Sequence, residues 1–137
     1  MKTLLTTFTI LILFSLSGCS KSDDSANADD LLGKWMYLEA TIDSENIFDE
    51  YGQGSYCIFE DNNKVTEFHT SNNQTVTGVW IVQNGKLVIA ESGQLVNGKW
   101  VLIDEQEWTY SIKGDILETW GVSWDDETMY RKCQRAN

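Results

Sequence analysis

Few side chains in this sequence are of types that do chemistry, and their spacing limits what they could do. His69 is the one histidine of the chain. On a strand it would share a face with Val65 and Glu67, giving one imidazole and one carboxylate. A zinc site needs more converging ligands than that, so His69 is read as a structural or surface residue. Any Ser-His-Asp or Cys-His assembly would have to be built on that one histidine, and Cys57 has a better use. Asp and Glu number 21. Glu39 and Glu118 could serve glycoside hydrolysis if they faced each other across a cleft, but among so many acids such a pair is expected by coincidence. Asp125-Asp126-Glu127 reads as a charged turn, because no EF-hand spacing surrounds it. No Gly-rich phosphate loop is present. The sequence therefore points to no catalytic residue, no metal ligand and no cofactor, and the chain is read as a non-enzyme.

The chain has three cysteines, Cys19, Cys57 and Cys133. In an oxidising compartment the last two could form a disulfide tying an early strand to the final one. Closing so long a loop would contribute about 4–5 kcal/mol in the chain-entropy picture. Two buried free thiols are the alternative reading.

Six tryptophans and five tyrosines supply the other notable side chains. Period-two alternation places Trp35, Tyr37 and Glu39 on one face of a strand, Trp108, Tyr110 and Ile112 on another, and Ile116, Glu118 and Trp120 on a third. Turned inward, these faces would line an aromatic pocket carrying a few carboxylates. Tyr37, Glu39, Tyr110, Glu118 and Trp120 are the candidate ligand-binding residues. Filling of the core is the competing role for each aromatic.

The elements that must position these residues are strands. Short alternating runs recur, broken by turn signals. Leu32–Thr41 opens the series and Ser55–Glu60 follows. Asp61-Asn62-Asn63 makes a turn before Lys64–Thr70. Thr75–Gln83 meets Asn84-Gly85 and returns as Lys86–Ala90. Asn-Gly favours a two-residue type I′ hairpin, since both central residues take positive φ. Asn97-Gly98 repeats the signal before Lys99–Asp104, and Lys113-Gly114-Asp115 joins Glu107–Ile112 to Ile116–Gly121. Asp125-Asp126 separates Val122-Ser123-Trp124 from Glu127–Cys133. Only Asp43–Tyr51, with Ile47 and Phe48, suggests a turn of helix. Proline is absent, which suits continuous ladders. The expected fold is all-β: an antiparallel up-and-down barrel of about eight to ten strands, since closure removes exposed edges. A sandwich is the competing architecture.

At the N-terminus, Lys2 precedes an apolar run from Leu4 to Leu16. The run is shorter than the ~20 residues that span a bilayer and reads as a cleavable signal, residues 1–18. Leu16-Ser17-Gly18-Cys19 resembles the lipobox of bacterial lipoproteins. That resemblance implies cleavage before Cys19 and attachment of acyl chains such as palmitate to its thiol. Two or more chains, each buried CH₂ contributing about 0.8 kcal/mol, anchor a protein stably. Ser20 after the lipidated Cys implies the outer membrane, on its periplasmic or its outer surface. Residues 19–30 read as a flexible acidic tether with a reach of about 18 Å, and 31–137 as the single domain.

Without the signal the chain carries nine basic and 21 acidic residues, a net charge of −12. That field disfavours nucleic acid and anionic lipid as partners and is compatible with a basic protein.

Gly33-Lys34-Trp35, just before the first long strand, resembles the Gly-x-Trp signature of lipocalins. The hairpin meander ending in Met129-Tyr130-Arg131-Lys132 is similar in layout to lipocalin-like domains of bacterial lipoproteins. The resemblance implies that Gly33 and Trp35 are structural, with Trp35 packed across the closed end of a barrel whose cavity opens at the other. It implies a membrane-anchored lipoprotein that binds or carries a small hydrophobic ligand. The alternative is a protein-interaction module, such as an inhibitor of a basic secreted enzyme in the manner of lysozyme inhibitors.

Overall fold

A computed structural model describes residues 27–123 and 125–137. The signal segment and Cys19 lie outside the described residues, as do the tether up to Ala26 and Trp124. The Asn-Gly pairs act where the sequence places them. Asn84 and Gly85 take φ of 52° and 72°, and Asn97 and Gly98 take 51° and 75°, as a type I′ turn requires.

In chain order the elements are α1 (Ala28–Leu31), β1 (Gly33–Ile42), β2 (Glu45–Asn46), α2 (Phe48–Tyr51), β3 (Tyr56–Phe59), β4 (Lys64–His69), β5 (Gln74–Gln83), β6 (Lys86–Val96), β7 (Lys99–Lys113), β8 (Ile116–Val122) and β9 (Thr128–Arg135). The strands form one antiparallel sheet in the order β2-β1-β3-β4-β5-β6-β7-β8-β9, and β9 pairs back onto β1. The short β2 hangs on β1, and the other eight strands close a ring. The architecture is the expected all-β barrel. Closure works because β1 serves two neighbours: Gly33–Met36 pairs with β3, while Trp35–Ile42 pairs with β9.

The lumen is packed with large side chains. Trp35, Tyr37, Phe59, Val65, Trp80, Leu87, Trp108, Tyr110 and Leu117 form one buried cluster with Cys57 and Cys133. Transfer of such side chains from water contributes roughly 1.5–3 kcal/mol each.

One end of the barrel is plugged. Ala28–Asp30 form the start of α1, which brings fully buried Leu31 under the strands. Trp35 Nε1 donates to the Leu31 carbonyl at 2.8 Å. From the far terminus, Arg135 stacks 4.1 Å over the Trp35 ring and donates to the carbonyls of Leu32 (2.8 Å) and Asp30 (2.7 Å). Both chain ends of the domain are thereby fixed to one indole.

At the opposite end the ring is partly covered by α2. The Tyr51 carbonyl accepts from Ser55 Oγ (2.5 Å) and from the backbone of Ser71 (3.0 Å), so α2 is tied to the β4–β5 turn. Gly52, at φ 88°, sits so close to this turn that an added Cβ would lie 2.6 Å from the Ser71 nitrogen. β6 and β7 run on past the ring: from Glu91 onward β6 pairs with β7 alone, and β8 joins β7 only from Trp108.

Candidate functional site

Three strands bring a polar cluster into the otherwise apolar lumen. Glu67 on β4 and Arg131 on β9 are separated in the ring by β3 and β1, yet their side chains meet at 3.3 Å. His69 Nε2 lies 2.5 Å from the other carboxylate oxygen of Glu67. Arg131 also donates to the Tyr37 hydroxyl at 3.4 Å. Its guanidinium carbon stands 4.9 Å from the Trp108 ring centre, 5.6 Å from Tyr51 and 5.8 Å from Tyr37, within the reach of cation–π attraction. Tyr51 in turn packs edge-on against His69, with centroids 4.4 Å apart.

The electrostatics follow from burial. Desolvation alone would raise the Glu67 carboxyl, but the charge of Arg131 and the hydrogen bond from His69 override it and hold Glu67 at about 2. Burial works against the Arg131 cation, and Glu67 more than offsets this, pushing Arg131 above its ordinary value. The pair is thus a carboxylate and a guanidinium at any physiological pH. Burial also raises the Tyr37 and Tyr51 phenols, which stay protonated.

Two spaces adjoin this cluster. A cavity of about 270 Å³ opens toward the end away from α1, with Val65, Glu67, Val76, Gly78, Ile89, Glu91, Asp104 and Gln106 among its walls. Deeper in, a void of about 20 Å³ lies among Tyr37, Phe59, Ile89, Trp108, Thr119 and Arg131, with both cysteines beside it. Ile89 borders both. A larger crevice of about 580 Å³ runs outside the barrel, between α1, the β3–β4 turn and Lys99-Trp100 of the β6–β7 ribbon. The end of β5, Trp80–Gln83, forms its floor and it carries no buried charged cluster, so the lumenal cavity is the better candidate despite its smaller size.

Of the five candidate ligand residues, the structure brings only Tyr37 to this cluster. Tyr110 is inside the barrel and buried, as alternation predicted, but it does not border the cavity. Glu39 is outside. A bulge shifts the β1–β9 register between Tyr37 and Glu39, so Ala40 takes the inward position and Glu39 pairs with Lys132 at 3.5 Å on the outer surface. Glu118 and Trp120 also point outward, because the inward face of β8 is Leu117, Thr119 and Gly121. Small residues are needed there: a Cβ on Gly121 would come within 2.5 Å of the Trp108 ring. Glu118 accepts from the Tyr130 hydroxyl at 2.7 Å and Trp120 packs on Tyr130 with centroids 5.7 Å apart. Burial, then the Glu118 contact, pushes the Tyr130 phenol up to about 12. Glu39 and Glu118 therefore form no catalytic pair across the lumen.

Cys57 and Cys133 are both buried, and the structure holds them as free thiols. They flank β1 on opposite sides, Cys57 across from Trp35 and Cys133 across from Tyr37. Two strand spacings put their Cα atoms about 9–10 Å apart in a flat sheet, against a limit of about 7 Å for a bridge. Curvature turns the thiols toward each other; the hydrogen bond to Cys133, together with burial, pushes the Cys57 thiol up.

Sequence reasoning missed Arg131 and Tyr51 and undervalued Glu67 and His69. A signal for Arg131 existed, since it shares strand parity with the inward Cys133. A buried Glu67 also demanded a cation, because an unpaired buried charge is costly. Among the described residues no three His, Cys, Asp or Glu side chains converge to hold a metal. No family model matches this sequence, and no curated protein matches it either.

Proposed function

We propose that this chain is a lipid-anchored envelope protein whose lipocalin-like barrel binds a small ligand in the open end of its lumen. The observation that carries the reading is the 270 Å³ cavity with the Glu67–Arg131 pair beside it. Its size falls near the lower end of small-molecule sites. The interior below it is filled by indole and phenol rings, so a long acyl chain does not fit and a compact ligand does. Val65, Val76, Ile89 and Ala90 give it an apolar wall. The anchor rests on the lipobox-like Leu16-Ser17-Gly18-Cys19, and metabolic labelling with an alkyne palmitate, lost in Cys19→Ser, tests it.

Titration of intrinsic tryptophan fluorescence with compact apolar molecules tests the cavity. Binding is expected, and Ile89→Trp, which fills the site, should abolish it. Flat titrations across a broad panel, or binding unchanged in Ile89→Trp, refute the reading.

One observation favours a second reading, a protein-interaction module. The β6–β7 ribbon exposes Leu95, Val96, Val101 and Ile103 by 42–61 % on a strongly acidic chain, a combination suited to a basic partner with an apolar contact. Salt-sensitive retention of a basic protein such as lysozyme on the immobilised domain, lost on Ile103→Asp, would support that reading. No retention at low salt removes it.

A further inference from the structure

Among the described residues, two buried N–H donors inside the barrel have no acceptor: Trp108 Nε1 and Arg131 Nε. Trp108 is 2 % exposed. Buried donors are nearly always satisfied, and leaving one unmet costs about 1–3 kcal/mol. Both residues border the same void of about 20 Å³, which is room for a single oxygen-sized group. Indole and guanidinium N–H groups donate and do not accept, so the void calls for an acceptor.

Charge narrows its chemistry. Arg131 is already paired with Glu67 at 3.3 Å, which weakens its pull on an incoming anion. On the way in, an anion would also pass Glu91 and Asp104 at the mouth. Ile89 alone borders both the mouth cavity and the void, so its side chain stands between them.

Resting on the ligand-binding reading above, we infer that the barrel's ligand is a compact, uncharged molecule whose carbonyl-type oxygen passes Ile89 and accepts hydrogen bonds from Trp108 Nε1 and Arg131 Nε. Apolar walls hold its body, the acidic mouth rejects carboxylates, and the two donors select for the oxygen. Free fatty acids are thereby excluded on charge as well as on length.

The test compares three probes of one shape: cyclohexanone, methylenecyclohexane, which replaces the carbonyl oxygen by CH₂, and cyclohexanecarboxylate. The full chain carrying Cys19→Ser is used, so that no acyl group competes, and the Trp108 Nε1–H resonance is followed by NMR. Cyclohexanone should bind at least about tenfold more tightly than methylenecyclohexane and move that proton downfield, and the carboxylate should not bind. Trp108→Phe should remove the preference; because this comparison also exists within the unsubstituted protein, misfolding of the variant would not leave the question open. Equal affinity for the two neutral probes overturns the inference and leaves the ligand-binding reading intact. Persistent magnetisation transfer from water to Trp108 Nε1–H with cyclohexanone bound also overturns it, since the void then holds an internal water. Absence of binding by all three probes and by the broader panel removes both.

Discussion

Glu67 and Arg131 meet at 3.3 Å across the lumen, from strands that are not neighbours in the sheet. The pair braces two separate strands of the ring and gives the barrel a pH-dependent part of its stability. The Glu67 carboxyl is held at about 2 against an ordinary 4.5. A depressed acid contributes fully above the unfolded value, and its contribution fades as pH falls through the folded value. Stability should therefore drop between about pH 4.5 and 2, by about 3 kcal/mol from this group. Urea midpoints measured across that range check it. Glu67→Gln should flatten the acid limb and, by leaving Arg131 buried and unpaired, cost about 3–5 kcal/mol at neutral pH.

Arg135 closes the plugged end by stacking on Trp35 and donating to the carbonyls of Asp30 and Leu32. Hydrogen bonds to a charged group are worth about 1.5–3 kcal/mol each. Arg135→Ala should lower stability by about 2–4 kcal/mol, less than the sum because water replaces part of the loss. Arg135→Lys should recover only part of it, since an ammonium lacks the planar fork that reaches both carbonyls while stacked. Thermal denaturation of the three proteins distinguishes these outcomes.

Gly121 makes room for Trp108. Its backbone is extended, so the constraint is space and not φ. An alanine Cβ would stand 2.5–2.9 Å from three ring atoms. Gly121→Ala should cost about 1–3 kcal/mol, as overpacking does, and should change the tryptophan emission as the indole shifts. Native-like stability with unchanged emission would contradict the packing described.

The two inner cysteines should remain thiols. Unfolded without reductant and treated with a chromogenic disulfide, the Cys19→Ser chain should give two reactive groups. The native protein should react slowly at both, because they are buried and the Cys57 thiol is raised. Zero reactive groups after unfolding would mean that β3 and β9 draw together across β1.

Turn chemistry and alternation made much of the fold legible. Asn84-Gly85, Asn97-Gly98 and Gly114-Asp115 each fall between paired strands. Phe48 and Tyr51, within the one stretch read as helical, form α2. Trp108 and Tyr110 face inward as their period required. Two physical effects lie behind the misplacements, space on β8 and register on β1. On β8 the lumen needs Leu117, Thr119 and Gly121, because Trp108 already occupies the space, so the bulkier Glu118 and Trp120 face out. On β1 a single bulge after Tyr37 reverses the parity of Glu39, and a bulge leaves no mark in an alternating sequence. The Glu67–Arg131 contact joins residues 64 positions apart. Either one alone looks like an ordinary surface charge until the ring closes.

Beyond Ala90 and Trp108 the β6–β7 ribbon leaves the ring and, among the described residues, pairs with no further strand. The ring itself has no free margin, whereas this two-stranded arm has two, and it carries Val96, Val101 and Ile103 half exposed. Unpaired N–H and C=O rows beside apolar side chains are templates for another chain. Self-association of this protein, and amide exchange before global opening, should therefore begin within residues 91–104, while the sealed wall exchanges only on full unfolding.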